Sequence, residues 1–152
     1  LIEAGVRCVS LTISDFDTHS DNFNRMRQVL PILDHGLHAL VTDLEERGML
    51  DDVSIVLWGE FGRTPKINSK GGRDHWGKLC TLALAGGGLR MGQVVGESSP
   101  KVEVPASNPI GPQDLMATIL HMYGLDPKMQ FIDNQGRPTY LVEHGKPIAE
   151  LV

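Results

Sequence analysis

Residues 53–58 read VSIVLW, a nearly continuous apolar run of the length of a β-strand. A strand that is apolar on both faces is typical of a parallel sheet covered by helices. Two further runs have the same character, VRCVSLTI at residues 6–13 and LCTLALA at residues 79–85. We therefore predict an α/β fold in which these three strands lie in one mostly parallel sheet flanked by helices.

Two segments carry the three- and four-residue apolar spacing of amphipathic helices. In the first segment Pro31 either opens the main helix or kinks a longer one, because proline cannot donate a backbone hydrogen bond. We favour a short helix followed by a fresh start at Pro31, which gives a main helix over about residues 31–47 with Gly48 as its C-cap. We also predict a second helix over about residues 112–123. Strand, helix and strand then form a βαβ unit. The tail beyond Gly124 is predicted to be irregular, with a turn at residues 133–136.

The bulk composition limits the classes of function. With 152 residues, 41% hydrophobic and 22% charged, the chain suits one globular domain. A net charge of −5 gives no field that would attract nucleic acid. No apolar run approaches the roughly 18 residues of a membrane span. Because the sequence begins LIEAG, we expect residues 1–152 to be a single partial domain, cut from a longer protein.

Metal-capable side chains fall in three places, each just after a predicted strand or in the loop that follows it. In an open α/β sheet, sites form outside the carboxyl ends of the strands. Mixed sets of carboxylate oxygen and imidazole nitrogen bind divalent cations such as zinc. The predicted metal ligands, enough for one or two ions, are Asp17, His19, Glu60, Asp74 and His75.

Asp17, His19 and Glu60 also have structural interpretations. Asp17 can cap a turn and His19 can hydrogen-bond to backbone. Glu60 can form an ion pair with Arg63 that holds its loop. Arg63 offers a planar fork of donors that suits a phosphate or sulfate group, and Arg73 lies beside the Asp-His pair as a second candidate for binding an oxyanion.

Three strings together resemble the family known as domain of unknown function 1501 (DUF1501), which is grouped with sulfatase-like and alkaline phosphatase-like hydrolases. They are FDTHSDNF at 16–23, WGEFGRTPKINSKGGRDHWG at 58–77 and GPQDLMATILHMYGLD at 111–126. The resemblance implies that the chain is the C-terminal part of an alkaline phosphatase-like fold, with paired metal ions held by Asp, Glu and His at strand ends. It also implies a periplasmic or secreted location.

The sequence departs from the pattern of the better-known members of that superfamily. They hold one metal with an aspartate, a histidine three or four residues on and a further histidine, and hold the other with an Asp-His pair. Here Asp17 and His19 are two apart, although Asp15 lies four before His19, and Glu60-Phe61 replaces the pair expected after the second strand. The Ser, Thr or modified Cys nucleophile of the superfamily is not identifiable, and we expect it upstream of Leu1.

The leading functional hypothesis is metal-dependent hydrolysis of a phosphate or sulfate ester of a small molecule or glycan. Arg63 would act as a catalytic residue that neutralises the oxyanion, and Arg73 would help to bind the substrate. The cofactor would be zinc, or calcium, magnesium or manganese. The alternative is a non-catalytic module that keeps the fold to bind a metal or another ligand.

Overall fold

The structure is a computed structural model that describes residues 1–152. The chain contains two helices and eight short strands, with six strands between the helices and two after the second helix. The helices are α1 (Asn22–Glu46) and α2 (Pro112–Met122). The strands are β1 (Ser54–Leu57), β2 (Gly62–Arg63), β3 (His75–Trp76), β4 (Ala83–Gly86), β5 (Glu97–Ser98), β6 (Pro105–Ser107), β7 (Gln130–Ile132) and β8 (Pro138–Tyr140).

The fold is mixed α/β, as predicted. Each strand, however, pairs with one other strand in an antiparallel ladder, and the parallel sheet predicted from the sequence is not found. The pairs are β1 with β4, β2 with β3, β5 with β6, and β7 with β8. In the longest pair, Ser54 lies opposite Gly86 and Leu57 opposite Ala83. A parallel pairing needs a crossover, usually a helix. The connection from β1 to β4 contains only the β2–β3 hairpin, and the chain returns antiparallel.

The predicted first strand, residues 6–13, is not a strand. From Arg7 to Ile13 no backbone N–H or C=O group pairs with another backbone group. Val9 and Leu11 are 51% and 86% exposed, although the apolar pattern predicted burial. No other strand of the chain lies alongside this segment, so the expected βαβ unit does not form.

Helix α1 begins nine residues earlier than Pro31 and passes through it without a break. The prediction of a fresh start at Pro31 was therefore wrong, and the longer helix is correct. The helix ends where predicted, with Arg47 as the C-cap and Gly48 as the residue that follows it. Gly48 has φ of 65° and donates to the Glu45 carbonyl, while the Met49 N–H reaches the Leu44 carbonyl, which together form a Schellman motif.

Helix α2 lies where the spacing predicted it. The carboxylate of Asp114 accepts a hydrogen bond from the Gly111 N–H at 2.8 Å and caps the first turn. Gly124, with φ of 69°, follows the last turn. The tail is more regular than predicted, because β7 and β8 form a hairpin around the turn at residues 133–136.

The chain buries little of its surface. Nine of 152 residues are buried, among them Leu44, Ala117 and Ile148. The accessible surface is 11134 Å², whereas a folded monomer of this mass exposes about 7600 Å². Much of the apolar surface, including a groove along α1 that Phe23 and Leu30 line, therefore lies open. Neither helix is both long enough and apolar enough to cross a membrane.

Candidate metal centre

Two segments about fifty residues apart are held side by side by backbone hydrogen bonds. Ser20 and Gly71 form an antiparallel bridge. On one side of it the Asp21 N–H donates to the Lys70 carbonyl at 3.1 Å, and on the other the Arg73 N–H donates to the Thr18 carbonyl at 2.9 Å. This short ladder aligns the segment that carries Asp17 and His19 with the loop that carries Asp74 and His75.

The close approach depends on a glycine. Gly72 is buried, and a Cβ atom at this position would lie 2.1 Å from the His19 carbonyl carbon and 2.3 Å from the Ser20 nitrogen. On the opposite segment Thr18 is only 1% exposed, while Asp17 and His19 are exposed. The Thr18 side chain points inward, and Asp17 and His19 lie together on the exposed side, with Asp17 Oδ1 3.1 Å from His19 Nε2.

The hairpin of β2 and β3 supplies the remaining groups. Arg63 and His75 are direct cross-strand partners. The Phe61 ring packs against the imidazole of His75 with centroids 4.5 Å apart. This contact restricts the orientation of the His75 ring beside Asp17.

Three ligand atoms converge at one point on the surface. Asp17 Oδ1 lies 2.9 Å from His75 Nε2 and 3.1 Å from His19 Nε2. The two imidazole Nε2 atoms are 3.2 Å apart. All three side chains are about half exposed or more, so a solvent molecule or a ligand can reach the centre. Asp17, His19 and His75 thus form a triad suited to a metal ion.

Asp17 is held as a carboxylate. The hydrogen bond from His75, and then that from Arg63, lowers its pKa to about 2. Arg63 donates to Asp17 Oδ1 at 2.5 Å and to the Arg73 carbonyl at 3.3 Å. An ionised carboxylate can only accept hydrogen bonds. His75 Nε2 therefore carries a proton in this arrangement, and a cation that binds there must displace it.

Asp74 orients His19. Its Oδ1 atom lies 2.7 Å from His19 Nδ1. The hydrogen bond from His19, and then that from Asn68, lowers the pKa of Asp74 below its ordinary value. Both nitrogens of His19 face a carboxylate, Nδ1 at 2.7 Å from Asp74 and Nε2 at 3.1 Å from Asp17. The shorter contact favours the ring proton on Nδ1, and Nε2 then presents its lone pair to the N–H of His75 at 3.2 Å. Metal-binding histidines commonly have such a carboxylate partner on the other nitrogen.

Asn68 is a site residue that the sequence reasoning missed. Its Nδ2 donates to the His19 carbonyl at 3.0 Å and lies 3.3 Å from both carboxylate oxygens of Asp74. Its Oδ1 accepts from the N–H groups of Lys70 and Gly72. An Asn two residues before a Lys-Gly-Gly run is a signal for a side-chain-capped turn. That signal alone does not indicate the contact with Asp74.

Other predicted residues lie outside the triad. Glu60 is exposed after β1 and makes no side-chain hydrogen bond or ion pair, so the predicted Glu60–Arg63 pair is absent. Arg73 donates through one terminal nitrogen to the carbonyls of Thr64 and Pro65 and so braces its own loop. Asp15, the alternative partner of His19 by spacing, forms an ion pair with Arg25.

Fold and site together define a mixed α/β protein with an exposed histidine and carboxylate cluster on two joined loops. The chain belongs to the family described as protein of unknown function (DUF1501), whose family model matches residues 1–152. No curated protein and no solved structure matches the chain.

Proposed function

We propose that the protein is a metal-dependent hydrolase of phosphate or sulfate esters, with a divalent cation bound by Asp17, His19 and His75. The observation that carries the proposal is the convergence of one carboxylate oxygen and two imidazole nitrogens, all within 4.8 Å of one another. One carboxylate and two imidazole ligands are typical of zinc sites. Calcium and magnesium prefer oxygen ligands, so they suit this site less well.

The geometry of the triad supports a zinc-like ion. Ligands at the usual distances of about 2.0–2.2 Å in a tetrahedral site lie about 3.3–3.6 Å apart. The three separations here, 2.9, 3.1 and 3.2 Å, need to widen by only a few tenths of an ångström. Three protein ligands leave one position for water or substrate, which is the pattern of catalytic rather than structural zinc sites.

The surrounding residues suit an anionic ester. A bound cation would polarise the ester oxygen and lower the pKa of an attacking hydroxyl. Arg63 lies against Asp17 and can turn its guanidinium fork toward a phosphate or sulfate group beside the ion. Asp74 favours the Nδ1–H form of His19, so that a cation need not displace a proton from His19 Nε2. Glu60 remains a predicted additional ligand and Arg73 a predicted substrate contact.

The proposal extends to the superfamily. The family that the three strings resemble is grouped with sulfatase-like and alkaline phosphatase-like hydrolases, and we propose that residues 1–152 contribute the C-terminal part of such a fold. A periplasmic or secreted location belongs to the same proposal. Substrates would be small-molecule or glycan esters, which a solvent-exposed centre can admit.

A zinc titration with two matched variants tests the metal centre. Asp17 and Asp43 are both exposed carboxylates paired with an arginine, but only Asp17 belongs to the triad. We expect Asp17→Ala to weaken zinc binding by at least about tenfold and Asp43→Ala to leave it unchanged. Equal zinc affinity in the two variants would exclude the proposed ligand set.

An ester assay tests the activity. Chromogenic phosphate and sulfate monoesters are offered, with zinc, magnesium, manganese or calcium, to residues 1–152 and to the longest natural form of the protein. We expect turnover only by the longer form, because the resemblance places the nucleophile upstream of Leu1. Turnover by residues 1–152 would show that the nucleophile lies within them, and Ser14, Thr18 and Ser20 would be the first candidates. Zinc binding without turnover in either form would favour the non-catalytic module.

A further inference from the structure

We propose that Asn68 is a positioning residue of the metal centre, acting through Asp74 to fix the ring proton of His19. The inference rests on the proposed metal site, but the arrangement it describes exists in the metal-free protein. Asn68 touches none of the three triad ligand atoms. Its contribution is to hold the carboxylate that orients one of the ligands.

The Asn68 side chain joins both halves of the site. The Oδ1 atom accepts hydrogen bonds at 2.9 and 3.0 Å from the N–H groups of Lys70 and Gly72, which shapes the loop that lies against His19. The Nδ2 atom donates to the His19 carbonyl at 3.0 Å. These partners also fix which way round the amide lies, because the backbone N–H groups require the oxygen on their side.

The contact with Asp74 is the positioning step. Both Asp74 oxygens lie 3.3 Å from Asn68 Nδ2, while Oδ1 also lies 2.7 Å from His19 Nδ1. Asp74 is about half exposed and would otherwise be free to rotate into solvent. The Asn68 amide therefore holds the Asp74 carboxylate in the position in which that carboxylate accepts a hydrogen bond from His19 Nδ1–H. Without that acceptor the Nε2–H form becomes populated, and in those molecules a cation must displace the Nε2 proton as it binds, which weakens its affinity.

Two substitutions test the positioning role. Asn68→Asp keeps an oxygen for the Lys70 and Gly72 N–H groups but replaces the donor to Asp74 and to the His19 carbonyl with an oxygen that repels both. Asn68→Ala removes both functions. Asn134 lies in the exposed β7–β8 turn and makes no side-chain hydrogen bond, so Asn134→Ala is the matched control.

The first measurement is the ¹⁵N NMR spectrum of the metal-free protein at mildly alkaline pH, where the imidazole ring is neutral. We expect His19 to be protonated at Nδ1 in the wild type and in Asn134→Ala, and to populate the Nε2–H form in Asn68→Asp. The second measurement is zinc affinity, which we expect to fall by about tenfold in Asn68→Asp.

The outcomes distinguish this inference from the proposed function. If Asn68→Asp keeps the Nδ1–H form of His19 and wild-type zinc affinity, the positioning role is wrong and the metal centre stands. If the wild type binds no zinc but the His19 proton still moves in Asn68→Asp, the proposed function fails and the tautomer control by Asn68 stands. If Asn68→Ala does not fold, the position of the His19 ring proton and the zinc affinity of Asn68→Asp alone test the positioning role.

Discussion

Substitution of Gly72 by alanine tests how the two ligand-bearing segments are held together. A Cβ atom here would lie 2.1 Å from the His19 carbonyl carbon, 2.2 Å from its oxygen and 2.3 Å from the Ser20 nitrogen. All three are backbone atoms, so no side-chain rotation relieves the clash. A Cβ atom makes ordinary van der Waals contacts at 3.4 Å or more, whereas this Cβ atom would lie 2.1 Å from its nearest neighbour. The loop of Gly72 and the segment of His19 must therefore move apart by about 1.3 Å.

This displacement is large for a metal site. Ligands must be held within about 0.5 Å of the productive geometry. Moving the segment of Asp17 and His19 away from His75 by 1.3 Å exceeds that tolerance more than twofold. We expect Gly72→Ala to lower zinc affinity by about 10–100-fold and to lower the free energy of unfolding by about 1–3 kcal/mol.

Gly77→Ala is the control, because a Cβ atom at Gly77 meets nothing within 4 Å. Zinc affinity is measured by competition with a chromogenic chelator, and unfolding by denaturant titration. We expect Gly77→Ala to match the wild type in both. If Gly72→Ala binds zinc as tightly as Gly77→Ala, the separation of the two segments does not control the metal centre and the steric reasoning fails.

Three further predictions concern residues away from this contact. Glu60→Ala should lower the zinc content found by elemental analysis more than Glu46→Ala, since Glu60 follows the end of strand β1 and Glu46 lies on helix α1; equal zinc content would remove Glu60 from the ligand set. The pKa of Asp133 is lowered below its ordinary value of 3.8, mainly by the hydrogen bond from the Arg137 N–H. The ionised Asp133 carboxylate therefore stabilises the fold above pH 3.8, and this stabilisation is lost as the pH falls below that value. Denaturant titrations on both sides of pH 3.8 should show a smaller loss of stability in Asp133→Asn than in the wild type, and identical losses would refute the assignment. Pro31→Ala should raise the free energy of unfolding by about 1–3 kcal/mol, because it restores a donor inside α1; an unchanged or lower value would contradict this.

The parts of the fold that the sequence predicted correctly have local causes. Helix α2 has Pro112 at its first position, Asp114 in its first turn and Gly124 beyond its end, and each signal acts within a few residues. The Gly48 cap is local in the same sense. The strands depend on partners elsewhere in the chain. An apolar run such as residues 6–13 predicts that a surface will be covered, but it does not specify which segment covers it.

The candidate site also has a part that the sequence predicted and a part that it did not. The sequence identified the residue types and the segments, but not the Ser20–Gly71 bridge that aligns them, because the register depends on a contact between residues about fifty positions apart. Nor does any pattern near Asn68 reveal that its amide reaches Asp74. Hydrogen bonds between distant side chains leave no periodic signal, and they were the part of the centre that could not be predicted.

Asp74 shows why a list of ligands cannot be derived from residue types alone. A carboxylate that binds a metal and one that orients a metal-binding imidazole both have to lie beside a histidine, so the two roles give the same sequence pattern. The distances separate them here, because Asp74 lies 2.7 Å from His19 Nδ1, on the side of the ring opposite the triad. With Asp74 in that role, Asp17, His19 and His75 form a site for one ion, to which Glu60 remains a predicted additional ligand, where five predicted ligands had allowed two ions. A zinc titration of residues 1–152 should therefore reach one equivalent, and two equivalents of similar affinity would return Asp74 to the ligand set.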